Sequence, residues 1–388
     1  MRKKISLVPL ALLLAISLVV IACAPTPPTP TPPTPTPPAP PAKTVYTLRV
    51  QEAYPAGVVG FRIFERWAAD MKTISEGQID IKCYPEGGVV ATFDAFDAVS
   101  TGILDGFISW PQYWPGKHAL AVYLSSYPYG MDMEYMWEVW FYECGGIELA
   151  QKDYEKFGIH YVAPIQTGPN YAHCTKPLYK MEDWNGLKCR YPGGMIAEIY
   201  AKMGASVIIL PGGEIYTALA TGVIDLGEYI GHAMNMQLGL HEVGKYIIGP
   251  GQMHQPVDLQ AFVLNKKVWD KIPANLQRLL EMGSRDLSWS LNTNIRGYDT
   301  VALEWMTKTY GNVYIEISAE ERAKMRVVAV ELWKKWTKDD PTAETAVEGQ
   351  ILLMREYGLL EFPGLEEEIE KYFPGLLAEP IAGHVKER

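Results

Sequence analysis

The sequence predicts an α/β protein of two similar lobes, with a long helix and a helical C-terminal region. Three observations predict this. Strand-like and helix-like runs alternate from residue 45 to residue 229, the grammar of parallel sheets with crossover helices. A pattern recurs 120 positions along the chain: Ala98-Val99-Ser100-Thr101-Gly102-Ile103-Leu104-Asp105-Gly106 lines up with Ala218-Leu219-Ala220-Thr221-Gly222-Val223-Ile224-Asp225-Leu226. That offset is too long for a solenoid period, so the copies mark two lobes. Finally, residues 274–309 hold no proline and place Leu276, Leu279, Leu280, Leu287, Leu291 and Ile295 at helical spacing.

Taken in order, residues 45–51 are β-branched and aromatic and read as a strand. Residues 58–72 carry Phe61, Phe64, Ala68 and Met71 at helical spacing. A strand at 79–84 is closed by Pro85-Glu86-Gly87-Gly88, and a helix from about 91 stops at Gly102, a natural C-cap. Residues 107–110 form a buried strand. Trp137, Trp140 and Phe141 have helical spacing and belong to a core or an interface, as do Trp333 and Trp336. The second lobe repeats the grammar with strands at 159–164, 187–191, 207–210 and 224–229 and helices at 195–203 and 214–221. Within the long helix Gly283 and Gly297 are expected to bend it. A short strand at 313–317 precedes Ser318-Ala319-Glu320-Glu321, a capping box opening another helix. The last clear helix covers about 342–357. Residues 43–163 are then mainly lobe 1, 164–262 mainly lobe 2, and 263–388 the long helix, a return to the lobes and a helical C-terminus.

The front end is different. Arg2, Lys3 and Lys4 precede an uncharged apolar run, residues 5–22, and 1–22 read as an export signal. Val20-Ile21-Ala22-Cys23 resembles a bacterial lipobox, so Cys23 is the predicted lipidation site and membrane tether. Residues 24–42 hold eleven of the 29 prolines. Such a tract forms an extended polyproline II spacer, so 23–42 is a lipidated cysteine and linker. The chain is expected to be exported and lipid-anchored on the outer face of the cytoplasmic membrane. Cys83, Cys144, Cys174 and Cys189 allow three disulfide pairings or none. A net charge of −10 argues against a nucleic-acid partner.

No G-x-S-x-G, HExxH, Walker or dinucleotide-binding motif is present, and no enzyme is predicted. A two-lobed α/β protein invites a ligand between its lobes. The informative stretch is 183–229. Arg190 ends a predicted strand and is followed by Gly193-Gly194. A guanidinium fork suits a carboxylate, and small neighbours leave room for one. Trp110, Tyr113 and Trp114, interrupted by Pro111 and Pro115, read as a loop that could wall an organic substrate. Gln166 and Tyr54 are weaker candidates for the same cleft.

The runs Gly186-Leu187-Lys188-Cys189-Arg190, Met203-Gly204-Ala205, Leu210-Pro211-Gly212-Gly213-Glu214-Ile215-Tyr216-Thr217-Ala218-Leu219 and Gly222-Val223-Ile224-Asp225 resemble the substrate-binding subunits of tripartite ATP-independent periplasmic (TRAP) transporters, the DctP-like family. Phe96-Asp97-Ala98-Val99-Ser100-Thr101-Gly102 and Gly116-Lys117 fit as well. The resemblance covers about residues 45–338 and is strongest to the branch that binds 2-oxo acids and related carboxylates. It implies a periplasmic-binding-protein-like fold, a small organic carboxylate in the cleft, and membrane permease subunits as partners. Arg190 matches the family's carboxylate-binding arginine. Asn170 matches its polar amide, and Glu228-Tyr229 its acidic–aromatic pair. In this branch Na⁺ or Ca²⁺ sits beside the substrate, which implies Glu228, Asn170 and the Tyr229 carbonyl as ligands, and no other cofactor. Where the family places a further carboxylate, this chain has Gln252-Met253-His254-Gln255-Pro256-Val257-Asp258. That segment offers His254 or Gln255 near the place and Asp258 slightly beyond. Some members pair through C-terminal helices, which implies a homodimer. A binding lipoprotein of an ATP-driven importer would share tether and fold. An enzyme using Glu228 and Asp225 is disfavoured, since three positions along a strand put them on opposite faces.

Overall fold

A computed structural model describes residues 43–381; the predicted signal, Cys23 and the proline tract lie outside them. The strands in chain order are β1 (Tyr46–Glu52), β2 (Ile79–Tyr84), β3 (Gly106–Ser109), β4 (Ile159–Gly168), β5 (Ala172–Cys174), β6 (Lys188–Arg190), β7 (Ser206–Ile208), β8 (Leu226–Glu228), β9 (Tyr246–Gly249), β10 (Asp258–Asn265) and β11 (Val313–Glu316). They form two sheets, ordered β2-β1-β3-β10-β4 and β11-β9-β5-β8-β6-β7. In the first, β1 is parallel to β2 and β3, and β10 is antiparallel to β3 and β4. In the second, β6 is parallel to β7 and β8, while β5 is antiparallel to β8 and β9. The α/β class and the two lobes are therefore present.

The two nine-residue copies make the same bonds. Gly102 (φ 85°) and Gly222 (φ 71°) both adopt the left-handed conformation that glycine allows at the end of a helix. Leu104 N–H donates to the Ala98 carbonyl and Ile224 N–H to the Ala218 carbonyl, each at 3.1 Å. Asp105 accepts from the Arg49 N–H at 2.8 Å and Asp225 from the Lys188 N–H at 3.0 Å. Each aspartate thus pins the start of its buried strand to the neighbouring strand. This is the physical content of the sequence repeat.

The chain passes between the sheets at short segments. β4 ends at Gly168 and β5 begins at Ala172; β9 ends at Gly249 and β10 begins at Asp258. The helix Ala274–Trp305 and a π-turn at Met306–Tyr310 then lead back to β11. Along this helix Leu276, Leu280, Leu287, Leu291 and Ile295 are buried, as the spacing predicted. Gly283 is a point of close approach. A Cβ there would lie 2.5 Å from Met71 Sδ, and its carbonyl accepts from Trp67 Nε1 at 2.6 Å. The capping box at Ser318 is half formed: its hydroxyl accepts from Glu321 N–H at 3.3 Å, but the Glu321 carboxylate turns to the Met181 N–H at 2.9 Å.

Trp137, Trp140, Phe141 and Trp333 are core residues, as their spacing suggested. Cys83, Cys144, Cys174 and Cys189 are free thiols. Cys174 and Cys189 both pair with Leu226, from opposite sides of β8. Two strand spacings come to about 9–10 Å, beyond disulfide reach. Burial pushes the Cys83 thiol up to about 12 and Cys174 up to about 11. Among the described residues no helix is long and apolar enough to cross a membrane.

Candidate functional site

The C-terminal ends of β3, β6 and β8 point at one place, where ligands of open α/β sheets bind. Arg190 ends β6, Glu228 ends β8, and Trp110, Gln112 and Tyr113 follow β3. The crossovers β4–β5 and β9–β10 bring Asn170 and Gln255 to the same point. There the Asn170 N–H donates to the Gln255 carbonyl at 3.1 Å.

Arg190 is the centre. Its side chain is 1% exposed. Its Nη1 donates to the Glu228 carbonyl at 2.6 Å and to Glu228 Oε2 at 2.8 Å. Nε donates to the Leu210 carbonyl at 3.0 Å, and Nη2 to Tyr113 Oη, from the first lobe, at 3.3 Å. Four of its five N–H groups are thus used. The guanidinium is rigidly aimed, and its charge is met by one internal carboxylate.

Two buried acids are joined by an amide bridge. Asn170 Nδ2 donates to Glu228 Oε1 at 2.7 Å and to Gln255 Oε1 at 2.9 Å, and Gln255 Nε2 donates to Asp258 Oδ1. Trp110 Nε1 donates to Asp258 Oδ2 at 2.6 Å, with Thr167 Oγ1 at 3.2 Å. Burial, with repulsion from Asp258, raises Glu228 to about 8, and burial raises Asp258 to about 7, although Arg190 pulls both down. The short Arg190–Glu228 contact does not offset the loss of water around the carboxylate.

Trp110, Gln112, Tyr113, Asn170, Arg190, Pro192, Glu228, Tyr229 and Gln255 line a small cavity. Its volume is about 10 Å³, enough for one water. The lobes are closed on it. Several lining atoms are buried without a partner: Asn170 Oδ1, both amide atoms of Gln112 and Tyr229 Oη. Unpaired buried polar atoms are rare in folded proteins, and four of them lie beside this arginine.

Of the residues singled out in sequence, Arg190, Asn170, Glu228, Tyr229, Trp110 and Tyr113 meet at this cavity. Tyr54 packs edge-on against Trp110 at 5.6 Å. Trp114 turns into the first-lobe core, its Nε1 donating to the Phe93 carbonyl at 2.7 Å. Gln166 lies elsewhere, in a separate cavity with Glu134 and Glu138. His254 stands behind Glu228: its Nε2 is 4.0 Å from Glu228 Oε1, and Nδ1 is 3.1 Å from Tyr200 Oη. Gln112 and Pro192 were not singled out; their only signal is adjacency to the tandem aromatics and to Arg190. Asp225 faces the far end of its strand, bonded to Lys176 and to the Lys188 N–H.

The oxygens here suit a hard cation. Asn170 Oδ1 is free, and Glu228 lies beside it. Among the described residues no group of three or more His, Cys, Asp or Glu side chains forms a ligand set.

A buried arginine at the strand ends of two α/β lobes defines a cleft-type solute-binding protein. Comparison with known proteins gives the family. The model of the bacterial extracellular solute-binding proteins, family 7 (DctP), matches residues 52–339, and the chain belongs to that family. A monocarboxylate 2-oxoacid-binding periplasmic protein of Nostoc sp. is 26% identical over 261 residues, 67% of this chain and 70% of that protein. Two crystal structures of TRAP periplasmic solute-binding proteins are 25% identical, with a TM-score of 0.76 and 81% of this chain covered. One, from Pseudoalteromonas atlantica, holds sodium and pyruvate and is 95% covered. The other, from Colwellia psychrerythraea, holds calcium and pyruvate and is 96% covered.

Proposed function

We propose that this solute receptor captures a small monocarboxylate, a 2-oxo acid such as pyruvate, and delivers it to the ion-driven membrane permease of a TRAP system. The observation that carries this reading is Arg190: fully buried, fixed by four hydrogen bonds and surrounded by unpartnered polar atoms. An incoming carboxylate would share the guanidinium with Glu228 and engage Gln112 and Tyr229. Trp110 and Tyr113 would wall the carbon skeleton. A Na⁺ or Ca²⁺ ion would be held by the Glu228 carboxylate, Asn170 Oδ1 and the Tyr229 carbonyl, with His254 behind Glu228. The ion would neutralise the two carboxylates that face each other there. The cations and pyruvate in the solved relatives support this reading. Gln166 would act as a support of β4 rather than a ligand.

The tether belongs to the same proposal. Cys23, at the end of a signal-like segment, would carry lipid, and the proline tract would hold the receptor off the membrane. Pairing of two copies belongs to it as well, and the exposed Trp289, Tyr298 and Val301 of the long helix offer it an apolar face.

Titration calorimetry of the purified protein with pyruvate, in Na⁺ and in Ca²⁺ buffers, tests the reading. Binding at one site, lost in Arg190→Ala, is expected. No heat from pyruvate or other 2-oxo acids in either buffer, with the protein folded, would overturn it.

A further inference from the structure

A second cavity, of about 450 Å³, is lined by Tyr129, Asp132, Glu316, Arg322, Arg326 and Phe362, among others, and shares no residue with the Arg190 cleft. It is of a size that holds small ligands. Its floor is apolar, with Trp333, Met354, Leu359, Leu360 and Leu365.

Several of its polar groups lack partners. The Arg326 guanidinium carbon lies over the Phe362 ring, 3.5 Å from its centroid, and 4.9 Å from that of Tyr129. Among the described residues it makes no hydrogen bond and no ion pair. Stacking engages the face of the guanidinium and leaves its N–H edges to donate. Arg322 has one long contact, Nη1 to Glu316 Oε1 at 3.4 Å, and its buried Nε has no acceptor. The buried Tyr129 hydroxyl and Asp132 Oδ1 are also unpartnered. Tyr129 holds a left-handed backbone, φ 56°, which is costly for an aromatic residue and concentrates at ligand sites. Two guanidiniums, a phenol and a strained loop therefore converge on a void with an apolar floor.

We propose that this cavity is a second ligand site, independent of the Arg190 cleft, for a monocarboxylate with an apolar or aromatic body. The carboxylate bridges the edges of Arg322 and Arg326 and accepts from Tyr129 Oη. The body rests on Leu359, Leu360 and Met354. Asp132 and Glu316 line the same space, so a second negative charge is repelled and the site selects monoanions. An amino group on the ligand is welcome, because Asp132 Oδ1 can accept from it.

The test is calorimetry of the full chain with phenylacetate, phenylalanine and succinate. Phenylacetate or phenylalanine binds, and succinate binds at least tenfold more weakly. Arg326→Gln weakens binding about tenfold or more, the scale of a hydrogen bond to a charged group, whereas Arg190→Lys leaves it unchanged. Arg322→Gln serves as the second variant should Arg326→Gln fail to fold, and is expected to show the same loss. The proposal is overturned if neither aromatic acid binds. It is also overturned if binding survives both arginine variants of the second cavity, or if it is lost in Arg190→Lys, which would place the ligand in the cleft.

Discussion

Arg190 and Glu228 form a buried pair at the cleft, and both side chains are 1% exposed. Removing one partner of a buried ion pair costs up to about 3–5 kcal/mol, and less here to the extent that Glu228, already raised to about 8, takes up a proton. Arg190→Ala is therefore expected to lose stability as well as ligand. The two effects can be separated. Adding Glu228→Gln removes the stranded acid, so the double variant should recover much of the denaturation midpoint of the wild type. It should still fail to bind a carboxylate, because the fork that recognises it is gone. Urea unfolding and calorimetry on the wild type, single and double variants check this. Equal stability in Arg190→Ala and Arg190→Ala/Glu228→Gln would mean that the pair is not coupled. Retained binding would remove Arg190 from the site.

At the scale of elements, the parts legible in sequence were those with a local cause. The helix Ala274–Trp305 announced itself by its leucine spacing, and the repeated Gly-and-Asp turns by their identical bonding. Arg190 could be marked because it ends a readable strand, and the Glu228–Tyr229 pair through the family resemblance. What stayed hidden depends on distant partners. β5 is three residues long and exists because β8 and β9 flank it. β10 begins Asp-Leu-Gln, an unpromising strand opening, yet it is buried throughout because β3 and β4 cover both its edges. The amide bridge from Glu228 to Asp258 spans two crossovers, and no spacing along the chain encodes it. The glycines show the same division. Gly297 lies in the long helix with nothing within 4 Å of an added Cβ. Gly297→Ala should therefore gain about 0.5–1 kcal/mol from helix propensity. In Gly106, on β3, the Cβ would meet the Val263 carbonyl at 2.5 Å and Leu264 Cδ2 at 2.6 Å. Gly106→Ala should lose about 1–3 kcal/mol by overpacking. Thermal unfolding of the two variants should move in opposite directions, and a common direction would refute this account of the two positions.

For the whole molecule, two properties follow from how it is assembled. If Cys23 is the anchor, the mature protein should carry a lipid mass increment on that residue. Cys23→Ser should then shift it from the membrane to the soluble extracytoplasmic fraction. The second property is the pH dependence of stability. Burial lowers His173 to about 4 and His232 to about 3, so both are neutral in the fold. In the unfolded chain they titrate near 6.5. Their contribution is therefore fully present above pH 6.5 and is lost as pH falls toward 3, at roughly 1.4 kcal/mol per pH unit for each. Asp299 acts in the opposite sense. Burial raises it to about 6, so its contribution is present below pH 3.8 and is lost as pH rises through 6. Glu228 and Asp258, raised to about 8 and 7, act in the same sense as Asp299, and His254, lowered to about 3, acts in that of the histidines. Each group is therefore read from the difference between its variant and the wild type on going from pH 6.5 to 4.5. Relative to the wild type, acidification should be less destabilising in His173→Asn and His232→Asn, whose amides do not titrate, and more destabilising in Asp299→Asn. Scanning calorimetry at the two pH values reads the difference directly, without needing the variants to match the wild type in absolute stability. If the melting temperatures of all four proteins shift by the same number of degrees, these three groups do not set the pH dependence of the fold.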